Sequence, residues 1–198
     1  MRKFWLGATS AALLVLPTAA SAHTGAGMVG GFGAGILHPL TGFDHLLAMV
    51  LVGVLAYQLG GRALWLVPLA FVATMALGGG VAFSGMALTS VELGIALSII
   101  CLGMMVCAAV QIPLAMVIGL VAMFAVFHGH AHGAEMPSNM SAAAYASGFM
   151  VATAMLHAVG IALGYGIGAV AERQGVTVLR VAGGAASVTG LALLIGYI

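Results

Sequence analysis

The chain has 198 residues, of which 63% are hydrophobic and only 5% charged, with a formal net charge of +1. An ordinary soluble domain carries roughly 25% charged residues, so these proportions exclude a soluble fold, and near-neutrality argues against a nucleic-acid partner. Against so apolar a background, each of the seven histidines and four acidic residues is conspicuous.

Residues 1–22 have the layout of a secretory signal peptide: Arg2 and Lys3 at the charged end, an apolar stretch over 6–16, and the small-x-small site Ala20-Ser21-Ala22. Cleavage there leaves residues 23–198 as one domain and makes His23 the first residue, with an α-amine and an imidazole on the same group.

Six apolar segments follow, at about 39–59 (preceded by a glycine-rich apolar stretch over 28–37), 63–83, 90–110, 113–131, 141–170 and 176–198. Most are close to the ~20 residues needed to cross ~30 Å of hydrocarbon. The expected fold is therefore all-α, a polytopic membrane bundle of six transmembrane helices joined by short loops. Pro68 is placed to kink the second segment and Gly78-Gly79-Gly80 to loosen its end. Glycine is abundant at 30 residues, and Gly160, Gly164 and Gly168 put a smooth stripe on one face of the fifth segment, a surface for close helix contact. Cys101 and Cys107 point about 240° apart on a helix and are read as small packing residues. No G-x-x-x-x-G-K nucleotide loop is present.

Sidedness follows from charge. With the mature amino terminus outside, Arg62, Arg173 and Arg180, all the basic residues beyond the signal peptide, fall at cytoplasmic loops. The loop at 133–137 and the carboxyl terminus then face the periplasm, which places the chain in a bacterial cytoplasmic membrane.

This topology brings the polar residues to one depth. The first segment opens with His38-Pro39-Leu40-Thr41-Gly42-Phe43-Asp44-His45, the third with Ser90-Val91-Glu92, and the fourth closes with His128-Gly129-His130-Ala131-His132-Gly133-Ala134-Glu135. On a continuous helix His38 and His45 are about 10 Å apart. Pro39, however, favours an extended or capping conformation at His38, which turns its imidazole back toward the helix start. Met49 lies one turn below His45. His128 and His132 share a face, whereas His130 points away.

Imidazoles with a carboxylate and a thioether suit nickel, cobalt, copper or zinc rather than magnesium or calcium. Asp44 either binds the ion or orients an imidazole through its ring N–H. Glu92 is placed to offset the ion's charge and His157 to act as a deeper station for an ion or a proton. Purely structural roles stand beside these. Asp44 closes a Thr41-x-x-Asp44 capping box, Met49 fills core, Glu92 suits a helix start, and His157 bonds between helices.

At His38-Pro39-x-x-Gly42-x-Asp44-His45-x-x-x-Met49 the sequence resembles the HupE/UreJ family of bacterial membrane proteins, and 127–135 is similar to that family's second histidine motif. The resemblance extends over essentially the whole chain. It implies nickel or cobalt entry for hydrogenase or urease maturation, with His38, Asp44, His45, His128, His132 and Glu135 at motif positions. In the related signature of the larger nickel/cobalt permease superfamily four residues separate the first His from the Asp-His pair. Here five do, so that ligand geometry does not carry over unchanged.

The expectation is a nickel or cobalt permease working from periplasm to cytoplasm, with the lipid bilayer, the metal ion and maturation proteins as partners. The metal is cargo, and no resident cofactor is called for. The absence of an H-E-x-x-H helix argues against a metallohydrolase. Two alternatives stay open: a non-transporting metal sensor or assembly protein, and a permease for protons or another divalent metal.

Overall fold

A computed structural model of the protein describes residues 30–197. The signal peptide expected over 1–22 and the chelate expected at His23 lie outside the described residues. The elements are α1 (Gly31–Thr41), α2 (Phe43–Leu59), α3 (Ala63–Phe83), α4 (Val91–Ala108), α5 (Leu114–Ala134) and α6 (Ala142–Tyr197). The fold is an all-α polytopic membrane bundle. Among the described residues, α3, α4, α5 and the stretches Ala142–Val170 and Gln174–Gly196 of α6 are each long and apolar enough to cross a bilayer. The pair α1 and α2 makes a sixth span if it is counted as one despite a bend of 82°.

That bend departs from the sequence expectation. Proline before a helix start was expected to hold His38 outside the helix, but Pro39 lies inside α1 and His38 in its last turn. The break falls at Gly42, which ends one helix and begins the next. The capping box is also absent. The Thr41 hydroxyl donates back to Leu37 O at 3.1 Å and His38 O at 3.0 Å, and Asp44 instead accepts the amide of His45 at 2.8 Å. Thr41 is spent on closing α1, so Asp44 alone satisfies an open N–H at the start of α2. In α3, helix runs unbroken through Pro68 and continues past the three glycines to Phe83.

The fifth and sixth segments are one stretch of helical backbone, without the intervening loop expected at 171–174. Yet a Cβ at Gly175 would stand 3.1 Å from the Cα of Gly168 and 3.0 Å from Ile167 O. A straight helix rises ~1.5 Å per residue and separates such positions by about 10 Å, so the chain doubles back there. Leu163 and Ile167 of the first half accordingly face Leu179 and Gly183 of the second across a small apolar cavity.

The bundle is apolar outside, and its interior combines an apolar core with a set of buried polar side chains. His45, Ser98, His128, His130, His132, Thr153 and His157 are buried, whereas Trp65, Leu77, Met116, Met155 and Val188 are exposed. In hydrocarbon the outward residues lose nothing, and polar groups must find partners within the protein. Glycines let the backbones meet. Gly53 packs on His157 O and Gly160 on Val50 O, locking α2 to α6, while Gly78 packs on Val126 O and Gly129 on Met75 O, locking α3 to α5. The glycine stripe faces α2 as expected, with Gly164 and Gly168 against the Tyr57 ring. Cys101 and Cys107 are free and half-buried.

Gly53→Ala is expected to destabilise the detergent-solubilised protein by about 1–3 kcal/mol, since a methyl there meets backbone with no room to yield. Gly119→Ala, with nothing within 4 Å of the added carbon, is expected to be neutral or to stabilise by up to about 1 kcal/mol through helix propensity. Thermal unfolding of the two variants side by side checks both.

Candidate metal site

The bend at Gly42 sets the site. Because α1 turns 82° away from α2, His38 at the end of one helix and His45 at the start of the next come within 6.2 Å, ring centre to ring centre. From α5, His132 enters between them, 4.8 Å from His38 and 4.5 Å from His45, and His128, one turn deeper, stands 5.0 Å from His45. Four imidazoles from three helices thus occupy one end of the bundle. Glu92, at the start of α4, is within electrostatic range of Asp44, His45 and Glu135.

Each ring is held by a neighbour, and the neighbours decide which nitrogen keeps a free lone pair. His45 Nδ1 lies 2.8 Å from Asp44 Oδ1; a carboxylate only accepts, so Nδ1 carries the proton and Nε2 is bare. That Nε2 is buried without a protein partner. His128 Nε2 lies 2.9 Å from Ser98 Oγ, and the Ser98 hydroxyl donates its single proton to Ile95 O at 2.6 Å. Ser98 therefore accepts from His128 Nε2–H, leaving His128 Nδ1 bare, and this atom too is buried and unpartnered. His132 is fully buried with neither nitrogen paired, its ring stacked on Phe149 at 5.0 Å and 20°.

At the mouth, His38 Nε2 is 2.9 Å from Glu135 Oε2, with the carboxylate about half exposed. The hydrogen bond from His38 holds the Glu135 carboxyl below the usual carboxylate range. A lowered value means the ionised form is favoured by the fold. The contact is therefore intact above the ordinary carboxylate pKa and is lost only as pH falls through the lowered one.

The spacing of the rings matches a shared ion, though their present orientation does not hold one. With an imidazole nitrogen ~2.1 Å from a metal, the ring centre is about 3.2 Å away, and two ligands at right angles have centres about 4.6 Å apart. The His132 pairs at 4.5 and 4.8 Å have that separation. Among the described residues, however, no three His, Cys, Asp or Glu groups as they stand converge on one ion position.

The other expected residues fall as follows. His130 is turned away from the cluster, its Nε2 2.9 Å from Met86 O and 3.1 Å from the Leu88 amide, and it ties α5 to the α3–α4 loop. Met49 is fully buried in the apolar core. His157 is buried deeper, edge-on to Phe71 at 5.1 Å. Sequence reasoning missed Ser98, Tyr145 and Phe149, which seat the rings. Tyr145, Phe149, Thr153 and His157 recur every four residues on α6, a periodicity that marks one face and was legible beforehand.

Imidazole nitrogen NMR of the labelled, metal-free protein at neutral pH is expected to show opposite neutral tautomers, Nδ1–H in His45 and Nε2–H in His128. Ser98→Ala should abolish the fixed Nε2–H preference of His128 while leaving His45 unchanged.

Comparison with known proteins adds the identity. Residues 11–193 match the protein family described as HupE / UreJ protein. Protein HupE of Rhizobium leguminosarum bv. viciae is 46% identical over 191 residues, covering 95% of this chain and 96% of that protein. No solved structure matches. With nearly the whole chain aligned to one family, this protein belongs to the HupE/UreJ family.

Proposed function

We propose that the protein is a permease that captures Ni2+, with Co2+ as the alternative cargo, at His38, Asp44, His45, His128 and His132 and passes it between helices toward the cytoplasm. The observation that carries this reading is the gathering of four imidazoles from α1, α2 and α5 within 4.5–6.2 Å of one another. Two of them present bare, buried nitrogens fixed by Asp44 and Ser98. Borderline nitrogen donors in an uncrowded ring fit nickel and cobalt better than oxygen-seeking ions. Membership in the HupE/UreJ family agrees with transport rather than with an enzyme.

Asp44 works through His45: its carboxylate fixes the tautomer that leaves Nε2 toward the cluster. Glu135 and Glu92 lower the electrostatic cost of bringing a dication to this end of the bundle, and His38, half-open at the mouth, makes first contact. Met49 fills the core one turn below His45 and adds a soft atom on the inward side. Ligands of this kind replace the ion's water while holding it loosely enough for release.

The orientation goes with the charges. Arg62 sits in the α2–α3 turn and Arg180 caps the end of α4, its Nε donating to Cys107 O at 2.7 Å, both at the end of the bundle opposite the histidines. Excess basic residues mark the cytoplasmic side, so the cluster opens to the periplasm of a bacterial inner membrane, as do both mature termini. In this reading residues 1–22 are removed as a signal peptide, His23 begins the single mature domain of residues 23–198 with an α-amine and an imidazole able to chelate, and the delivered metal supplies hydrogenase or urease maturation proteins.

Radiolabelled nickel uptake in cells lacking their own nickel permeases checks the assignment at equal membrane abundance. His45→Ala and His128→Ala are expected to reduce uptake more than 10-fold, and Asp44→Asn by about 10–100-fold, the range for loss of a group supporting a ligand. Uptake equal to wild type in all three overturns the proposal. Nickel binding by the purified protein without entry into sealed vesicles assigns it instead as a sensor or assembly component.

A further inference from the structure

The mechanism above leaves unused a second set of donors in the middle of the bundle. His157 is 1% exposed, and neither of its ring nitrogens has a hydrogen-bond partner. Its carbonyl packs on Gly53, which lies two turns beyond His45 on α2 and so about 12 Å further into the membrane. One turn earlier on the same face of α6, the Thr153 hydroxyl donates to Met75 Sδ at 3.6 Å. Met75 is in turn one helical turn from Phe71, whose ring stands 5.1 Å from His157 and 5.5 Å from His128. His157 and Thr153 thus share one face of α6, both fully buried with Met75 of α3, which Thr153 contacts, and the Phe71 ring lies between His157 and His128 of the outer cluster.

Apolar packing alone does not account for these residues. A buried imidazole with two unpaired nitrogens destabilises a helix bundle, and a phenylalanine of similar volume would fill the space without that cost. Ionisable side chains kept inside a membrane domain mark ion pathways. The donor set is soft to borderline, which selects transition metals over alkali or alkaline-earth ions. Unlike the outer cluster, which has Asp44 and Glu135 beside its rings, these three residues bring no formal negative charge.

We propose that His157, Met75 and Thr153 form a second, mid-membrane station that receives the transition-metal dication from the outer histidine cluster and holds it weakly on the way to the cytoplasm. The station rests on the permease reading of the outer cluster. The ion keeps its charge and oxidation state throughout and exchanges an outer site supported by carboxylates for a set of neutral donors.

The test uses the full-length protein in sealed vesicles and in nanodiscs, with Ni2+ as the probe. His157→Phe is expected to fold at least as stably as wild type and to bind Ni2+ at the outer cluster with unchanged affinity, yet to transport it at least 10-fold more slowly. With His45 and His128 both replaced by alanine, residual Ni2+ is expected to bind more weakly and to show a sulfur neighbour in X-ray absorption, lost on Met75→Leu. Wild-type transport by His157→Phe overturns the station, as does slowed transport with no sulfur neighbour in the absorption spectrum. Should His157→Phe fail to fold, Met75→Leu decides: unaltered transport together with no sulfur signal overturns the proposal. Failure of the permease reading is seen separately, as transport by His45→Ala at the wild-type rate.

Discussion

A helix that crosses a membrane satisfies its own backbone, so a break within one is tolerated only where other groups take up the freed amides and carbonyls. The break at Gly42 is of this kind. The Gly42 amide donates to His38 O at 3.2 Å, its carbonyl accepts from Leu46 at 2.9 Å, and Asp44 takes the amide of His45. The same carboxylate oxygen then orients the His45 ring, which couples backbone repair to the placement of that imidazole. A side chain at Gly42 would bring its first carbon within 3.2 Å of both Asp44 Oδ1 and His45 Nδ1, crowding that shared hydrogen bond. The whole outer cluster depends on this one turn, because without it His38 lies two helical turns from His45.

Glycine packing carries the constraint through the rest of the bundle. Helices in lipid gain little from hiding apolar side chains, so association relies on close backbone contact. Here several close approaches lie beside the polar residues. Gly129, between His128 and His130, rests on Met75 O, and Gly133, next to His132, would place a Cβ 2.9 Å from Gly79 O. Pinning α5 to α3 at these points fixes the rotation of α5, which sends His128 and His132 inward while His130 meets the α3–α4 loop. Gly53 and Gly160 do the same for α2 and α6 at the level of His157.

Much of this architecture was legible in the sequence, for identifiable reasons. The second segment was read as 63–83 and α3 has those bounds, since Gly60-Gly61 before it and a polar loop after it punctuate a continuous apolar run. The i,i+4 relation of His128 and His132, and the outward turn of His130, follow from helical periodicity alone. The break at Gly42 was misplaced because proline is the stronger local signal. Pro39 lies in the last turn of an 11-residue helix, where it forgoes one helical hydrogen bond without ending the helix, and the glycine three residues later makes the turn. The reversal within α6 was also misread as a loop, since the backbone there keeps its helical turns. Ser98 left no signal, because a lone serine in an apolar span ordinarily bonds its own helix, as this one also does. Its second contact, to His128, depends on packing between α4 and α5 that no local pattern encodes.

The distribution of charge along the bundle gives the arrangement a direction. Acidic groups stand beside the rings at the histidine end, where Glu135 meets His38 and Asp44 meets His45, and among the described residues none lies with the buried polar side chains further in. A dication approaching from outside gains attraction before it loses water, which matters because dehydration is the largest cost it faces. Further in, the neutral donors His157, Met75 and Thr153 hold a dication less strongly than a site with carboxylates. At the opposite end, Arg62 and Arg180 present positive charge. In the proposed permease, capture is electrostatically favoured at the histidine end, where the carboxylates stand. A graded field of this kind lets one chain without a nucleotide site bind a dication firmly where it is scarce and release it where cellular ligands compete for it.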